Sequence, residues 1–222
     1  MSSDTKADFT LYTYFRSSAA FRARIALNLK GIKPDYKFVH LLKDGGQQHS
    51  ESYKRVNPQE IIPTLVHDGH TIGQSLAIIE YLDEIQPEPP LLPKEPWARA
   101  RVRQLAYAVA CDIHPINNLR VLLYLRDDWN ASEERRAVWQ RHWISLGFAA
   151  IESLLANSKE TGKFCHGDTP TMADICLIPQ CANAKRVDLD FSPYPTIARI
   201  DETALAHPAF AAALPKAQPD AE

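Results

Sequence analysis

The stretch Tyr14-Phe15-Arg16-Ser17-Ser18-Ala19-Ala20-Phe21-Arg22-Ala23-Arg24-Ile25 sets two adjacent hydroxyls after one arginine and before two more. They fall where a strand-like run gives way to a helical one. The first turn of a helix carries N–H groups without intrahelical partners and the positive end of the dipole. Such a place can hold an anion: a thiolate, a carboxylate or a phosphate. One serine suffices to cap the helix, and either can do it, so one hydroxyl is left over. From local sequence alone, simple capping accounts for the pair equally well. Nucleophilic serine chemistry is not indicated, because no G-x-S-x-G turn and no placed base accompany the pair. Donation to an anion asks less of the hydroxyl.

Other polar points are few. Gln74-Ser75 precedes a second helical run, with Ser75 as the expected N-cap, and its N–H groups suit a carboxylate. Residue 78 is Ile, so no reciprocal capping box forms there. Pro63 opens a strand and is a candidate cis bond. A cis form would turn the Ile62 main chain outward, where it can pair with a peptide-like ligand. His114-Pro115-Ile116-Asn117-Asn118-Leu119-Arg120 reads as a proline kink whose polar side chains satisfy freed backbone groups. His114 has no second ligand at i+3 or i+4, so no metal is expected. Arg186 reads by default as a charge complementing a helix C-terminus. Arg99, Arg101, Arg103, Arg135 and Arg136 read as solvated helix faces. Thr171-Met172-Ala173-Asp174 has capping-box spacing with Asp in place of Glu, a folding signal worth about 1 kcal/mol.

These residues need a scaffold. Phe9–Phe15 reads as a strand and Ser18–Lys30 as a helix, with Phe21, Ile25 and Leu29 spaced by four and Gly31 as its stop. Tyr36–His40 reads as a second, parallel strand, followed by the polar loop Lys43-Asp44-Gly45-Gly46-Gln47-Gln48. A short helix over Ser52–Val56 comes next. Ile61–His67 and His70–Gly73 form a hairpin about Asp68-Gly69, and Leu76–Ile85 is a helix. The order βαβαββα is an α/β layer. Gln86–Pro96 then carries five prolines in eleven residues, a stiff linker and the best boundary. Beyond it the helical runs are Trp97–Ile113, Pro115 to about Leu125, Ser132–Asn157, Thr171–Asn183 and a short piece near His207–Leu214. The expected division is residues 1–86, a linker 87–96, and an all-α half 97–222.

Composition excludes several classes. The 222 residues are 45% hydrophobic and 23% charged with a net charge of −2, which implies neither a nucleic-acid nor another polyanion partner. No apolar run could span a bilayer, and Met1–Asp8 lacks the core of a signal peptide. The four cysteines make no CxxC pair and no metal spacing, so free, mostly buried thiols in a reducing, cytoplasmic setting are expected.

Taken together, Tyr14–Ser18, Arg22–Leu27, Lys43–Gln48, Ile62-Pro63-Thr64-Leu65, Gln74–Leu82 and Thr171–Asp174 stand in an order and spacing similar to soluble glutathione transferases of the zeta class. The resemblance covers nearly the whole chain. It implies a thioredoxin-like N-terminal domain followed by an all-helical domain, with glutathione as cofactor. It implies cis–trans isomerisation of maleylacetoacetate to fumarylacetoacetate in aromatic amino-acid catabolism by reversible thiolate addition. Maleylpyruvate as substrate, or transferase activity on α-haloacids, are the alternatives. Ser17 would activate the thiol, with Ser18 and the following N–H groups, including that of Ala19, lining the same turn. Gln48, the main chain of Ile62 beside a cis Pro63, Gln74, Ser75, His114 and Asn118 would meet glutathione. Arg16, Arg120 and Arg186 would hold the carboxylates of a small maleyl dianion. A cytoplasmic homodimer is implied as well. The sequence departs from many relatives at Ala19, where they carry cysteine, and at Phe21, so no protein thiol is expected to act there.

Overall fold

The computed structural model describes residues 9–222, so the stretch Met1–Asp8 lies outside the described residues. Two compact units result. One takes the described residues up to Leu91 together with Pro208–Glu222, and the other takes Leu92–His207. The expected all-α half therefore ends early, and its last fifteen residues return to the first unit. The cause is polar as well as apolar. The Arg24 Nε–H donates to the Ala213 carbonyl (3.2 Å), Asn28 to the Ala209 carbonyl (2.9 Å), and the Phe15 N–H to Asp220 (2.9 Å).

In the first unit, strands β1 (Thr10–Thr13), β2 (Asp35–Phe38), β3 (Thr64–His67) and β4 (His70–Gly73) form one sheet in the order β2-β1-β3-β4. β1 pairs parallel with β2 as far as Thr13 and antiparallel with β3 as far as Tyr12, so the chain is held on both sides almost to its C-terminal end. The β3–β4 turn uses Asp68 (φ 49°) and Gly69 (φ 76°), the two left-handed positions of a type I′ hairpin. Helix α1 (Ser18–Leu29) is capped by Ser17, whose Oγ accepts from the Ala20 N–H at 3.2 Å. It ends at Lys30, with Gly31 at φ 68°. Short α2 (Glu51–Lys54) follows two single turns, Lys43–Gly45 and Gln47–His49. Helix α3 (Ser75–Ile85) packs on α1. Its N-cap is Gln74, not Ser75, which is the first helical residue. The backbone makes that choice: Gln74 adopts φ 63°, ψ 112°, a region non-glycine residues rarely occupy.

The second unit is helical. Helix α4 (Pro96–Tyr107) starts on Glu95, whose carboxylate accepts from the Trp97 and Ala98 N–H groups. Those bonds hold its pKa below the usual carboxylate range. The run continues as a π-helical stretch, Ala108–Ile113, into the single turn α5 (His114–Ile116). A π-bulge placed just ahead of Pro115 accommodates a ring that has no N–H to give the ladder. Helix α6 (Leu119–Asp127) is capped by Asn118, and long α7 (Glu133–Ala156) by Ser132. Helix α8 (Met172–Arg186) opens on Thr171, whose N–H (2.8 Å) and hydroxyl (2.9 Å) both donate to Asp174. The Cys165 N–H donates to the same carboxylate at 2.8 Å. Burial pushes Asp174 up while these bonds pull it down. Helix α9 (Pro195–Leu205) is not anticipated from sequence, and in the first unit the short α10 (Pro208–Ala211) lies against α1. Arg101 is not a solvated face residue. It donates to the Cys165 carbonyl (2.8 Å) and the Thr161 hydroxyl (2.9 Å) and pairs with Glu160 (3.3 Å). Arg99 likewise donates to the Pro93 carbonyl at 2.9 Å. Three of the four cysteines are buried, and Cys111 is exposed. Among the described residues no helix is long and apolar enough to cross a membrane, and no cluster could hold a metal ion.

Candidate active site

The first unit collects the serine turn and the residues expected to face a tripeptide. A central strand in an open sheet presents its carboxyl end to ligands, and β1 ends directly at Tyr14-Phe15-Arg16-Ser17. The turn closes with the Ser17 N–H donating to the Tyr14 carbonyl at 3.1 Å. Ser17 is half-buried, Ser18 is buried, Ala19 is half-buried and Arg16 is exposed. With the Ser17 lone pair taken by the Ala20 N–H, the hydroxyl proton points elsewhere and can be donated. Polarisation by the incoming N–H strengthens that donation. Capping and anion binding are thus compatible in one serine.

A buried cluster of Tyr14, Phe15, Ala20, Val39, Tyr53 and Ile62 ties this turn to the loop before β3. The Ile62–Pro63 bond is cis, as expected at this position; Glu88–Pro89, in the linker, is a second cis bond with no sequence signal. Among the described residues neither the N–H nor the C=O of Ile62 has a hydrogen-bond partner. The loop around them is held firmly. The Tyr53 hydroxyl donates to the Ile61 carbonyl (2.7 Å) and accepts from the Thr64 hydroxyl (2.9 Å), and the Asn57 amide donates to the Ile61 carbonyl and Thr64 Oγ1 (2.9 and 3.0 Å). Burial pushes the Tyr53 phenol pKa up, with the Thr64 and Asn57 bonds opposing.

Gln48 is buried, and its Oε1 has no partner. Its Nε2 lies 2.9 Å from His49 Nε2. Gly46 makes room for it: a Cβ there (φ 100°) would sit 2.6 Å from Gln48 Nε2. Gln74 is exposed and donates to Gln59 at 3.0 Å. Ser75 is buried, and its Oγ accepts from Arg22 at 3.3 Å, which fixes the start of α3 against α1. Arg24 is fully buried and donates to Thr13 Oγ1 (3.0 Å) and to the carbonyls of Tyr14 (3.3 Å), Phe15 (3.2 Å) and Ala213. Burial pulls its pKa down to about 10, so it remains a cation at neutral pH. Arg24, one of the two arginines after the serine pair, thus supports the turn that carries Ser17.

The remaining expected residues belong to the second unit. His114 lies 3.3 Å from the Asn118 amide, and Asn118 Oδ1 accepts from the Arg120 N–H at 3.1 Å. Asn118 thus satisfies a backbone N–H after the kink, as expected, and does so as the N-cap of α6. The Arg120 side chain is exposed. Arg186 is the last residue of α8, is exposed, and donates to Asn183 at 2.9 Å. Within the first unit, Ser17, Ser18, Ala19, Gln48, Ile62, Pro63, Gln74 and Ser75 share one scaffold. His114, Asn118, Arg120 and Arg186 share the other.

An unpaired main-chain edge, an orphaned buried amide oxygen and a capped serine turn suit a short peptide carrying an anionic sulfur, so the residues present fit glutathione. Residues 11–90 match the family model described as Glutathione S-transferase, N-terminal domain. The chain is 48% identical to a maleylacetoacetate isomerase of Dictyostelium discoideum, with 98% of each chain covered. It superposes with a TM-score of 0.93 on the holo structure of a maleylpyruvate isomerase, described as a bacterial zeta-class glutathione transferase. That match is 46% identical and covers 96% of this chain and 100% of the other. A maleylacetoacetate isomerase from Methylobacterium extorquens, solved with malonate and glutathione bound, gives a TM-score of 0.91 at 43% identity over 96% and 99% of the two chains. At these identities over nearly full length, the chain belongs to the zeta-class glutathione transferases, the family of the maleylacetoacetate isomerases.

Proposed function

We propose that the protein is a glutathione-dependent cis–trans isomerase that converts maleylacetoacetate to fumarylacetoacetate. The observation that carries the reading is Ser17, whose Oγ is oriented by the Ala20 N–H while its proton stays available. When bound, glutathione supplies a sulfur nucleophile that adds to the maleyl double bond and leaves after rotation, so it is not consumed. The Ser17 hydroxyl donates to that sulfur, and the first-turn N–H groups of α1 add positive potential. Ser18 and Ala19 line the same turn. The Ile62 main chain and Gln48 Oε1 bond the peptide, and the start of α3 at Gln74-Ser75 receives a carboxylate. His114 and Asn118 meet the cofactor from the helical unit. Arg16, Arg120 and Arg186 hold the substrate carboxylates, for which planar guanidinium forks are suited. In this division residues 1–86 bind glutathione, residues 87–96 link, and the helical residues beyond them bind substrate. The similarity to a maleylpyruvate isomerase supports maleylpyruvate as the alternative substrate. By family resemblance the protein works in the cytoplasm as a homodimer.

An ultraviolet assay of both maleyl compounds, with and without glutathione, tests the reading. Isomerisation is expected only with glutathione; isomerisation without it, or none with it, overturns the proposal. The clamp is tested separately. Arg186→Ala is expected to raise KM for the maleyl substrate about tenfold, the loss of one charge-assisted contact. Its kcat is expected to change less than threefold. Unchanged KM and kcat would remove Arg186 from the clamp.

A further inference from the structure

We propose that Asp220 is a positioning residue for the Ser17 turn, holding it through the Phe15 N–H; this inference rests on the isomerase reading above. β1 stops pairing at Thr13, whose carbonyl accepts the Val39 N–H. Two residues on, the N–H of buried Phe15 needs an acceptor. Asp220 Oδ2 supplies it at 2.9 Å from 205 residues further along the chain. The carbonyl of the same residue is taken by Arg24, which also holds Ala213. The N–H of Phe15, two positions before Ser17, is thus tied directly to the returning segment 208–222, and its carbonyl only through Arg24 of α1.

The segment is itself anchored. The Gln218 amide donates to the carbonyls of Ala212 and Leu214, both at 2.9 Å, which sets the chain direction into Pro219-Asp220. Beyond Asp220, Glu222 pairs with Lys43 and lies 3.5 Å from His40 Nε2. His40 Nδ1 accepts from the Leu42 (3.1 Å) and Lys43 (2.9 Å) N–H groups, so its proton sits on Nε2, facing Tyr14 and Glu222. The loop pinned in this way is the one that presents Gln48. One five-residue stretch, Gln218–Glu222, therefore braces both the serine turn and the glutamine loop. A donor aimed at a sulfur loses effect when displaced by a fraction of an ångström, so its supports matter to chemistry.

The test compares Asp220→Asn with Asp220→Ala in the full-length protein. Both remove the negative charge, so any difference between them reads the hydrogen bond; the amide oxygen of Asn still accepts the Phe15 N–H. The thiol pKa of bound glutathione, followed by ultraviolet absorbance of the thiolate, is expected to be about one unit higher in Asp220→Ala than in Asp220→Asn, with kcat about tenfold lower. A merely structural role would lower thermal stability without separating the two thiol pKa values. Asp220→Ser, too short to reach Phe15, replaces Asp220→Ala if that variant does not fold, with the same expectation. Equal thiol pKa and kcat in the two variants would overturn the inference. Wild-type protein and Ser17→Ala run in parallel keep the two claims apart. If the wild type binds no glutathione, the functional reading fails and the inference with it. If glutathione binds and Ser17→Ala shifts its thiol while the Asp220 variants agree with each other, only the positioning role falls.

Discussion

Ser17→Ala is expected to lower kcat by about 10²–10³-fold, the usual cost of removing one donor from a developing or stabilised anion. The affinity for glutathione should change far less, because the proposed site assigns the peptide to Gln48, Ile62 and the start of α3. The same substitution deletes the N-cap of α1, since Oγ accepts from the Ala20 N–H. A stability loss of about 1 kcal/mol follows from the cap alone. The two effects separate by pH. Losing the donor raises the thiol pKa of bound glutathione, so the activity of the variant should climb at pH values where the wild type is already level. Losing only the cap would lower activity by the same factor at every pH. Ser17→Thr keeps both the cap and the hydroxyl and should recover most of the rate. A Ser17→Ala enzyme with unchanged kcat and an unchanged pH profile would remove Ser17 from the chemistry.

The first unit was readable because its signals are local. Period-two runs, Gly31 after α1, Asp68-Gly69 between β3 and β4, and proline before β3 each act within a few residues. The features that support the serine turn are not local. Asp220 and Ala213 reach Phe15 and Arg24 across about two hundred residues of sequence, and no spacing rule announces such a pairing. The partners of Arg24 are equally silent, because periodicity reports which face is buried, not what a buried guanidinium touches. Helix α9 was hidden by Ser192-Pro193-Tyr194-Pro195, a loop-like string whose last proline sits instead at the first helical position, where its missing N–H costs nothing. Gln74 carried no sign of its left-handed backbone, since that strain is imposed by the β4–α3 connection and not by the side chain. The π stretch before Pro115 is invisible for a similar reason: one extra residue per turn barely disturbs an apolar pattern over Trp97–Ile113.

Local capping and long-range bracing therefore meet on the same few residues. Ser17 orients itself through its own helix, but the turn that delivers Ser17 is held by side chains from α1 and from the C-terminal segment. Ile62 shows the complementary case, with an unpaired main chain kept in place because Tyr53 and Asn57 fasten its neighbours Ile61 and Thr64. In both places the group left available for a ligand is flanked by backbone groups that side chains hold. That arrangement limits the cost of an exposed polar edge while the surrounding backbone stays rigid.

Arg24→Leu is expected to destabilise the protein by about 3–5 kcal/mol, among the largest effects of any single change. Two opposing contributions set the size. Removing the cation relieves the burial that pulls its pKa down to about 10, and replacing buried charges with apolar groups is often neutral when all partners can be replaced too. Here they cannot. Three of the four acceptors are main-chain carbonyls, those of Tyr14, Phe15 and Ala213. No substitution removes a carbonyl; that of Tyr14 keeps the Ser17 N–H, but those of Phe15 and Ala213 lose their donor, at about 1–3 kcal/mol for each buried one left unpaired. The loss of acceptor pairing therefore outweighs the relief. Arg24→Lys should recover only part of the stability, because one ammonium cannot reproduce a fork reaching Thr13, two turn carbonyls and α10's neighbour Ala213 at once. Urea unfolding checks this through the shift in midpoint at unchanged slope. A loss below about 1 kcal/mol in Arg24→Leu would mean that desolvation, not pairing, governs the site. Because the same carbonyls shape the Ser17 turn, the folded fraction of Arg24→Leu should also show a raised thiol pKa for bound glutathione, in the same direction as Asp220→Ala.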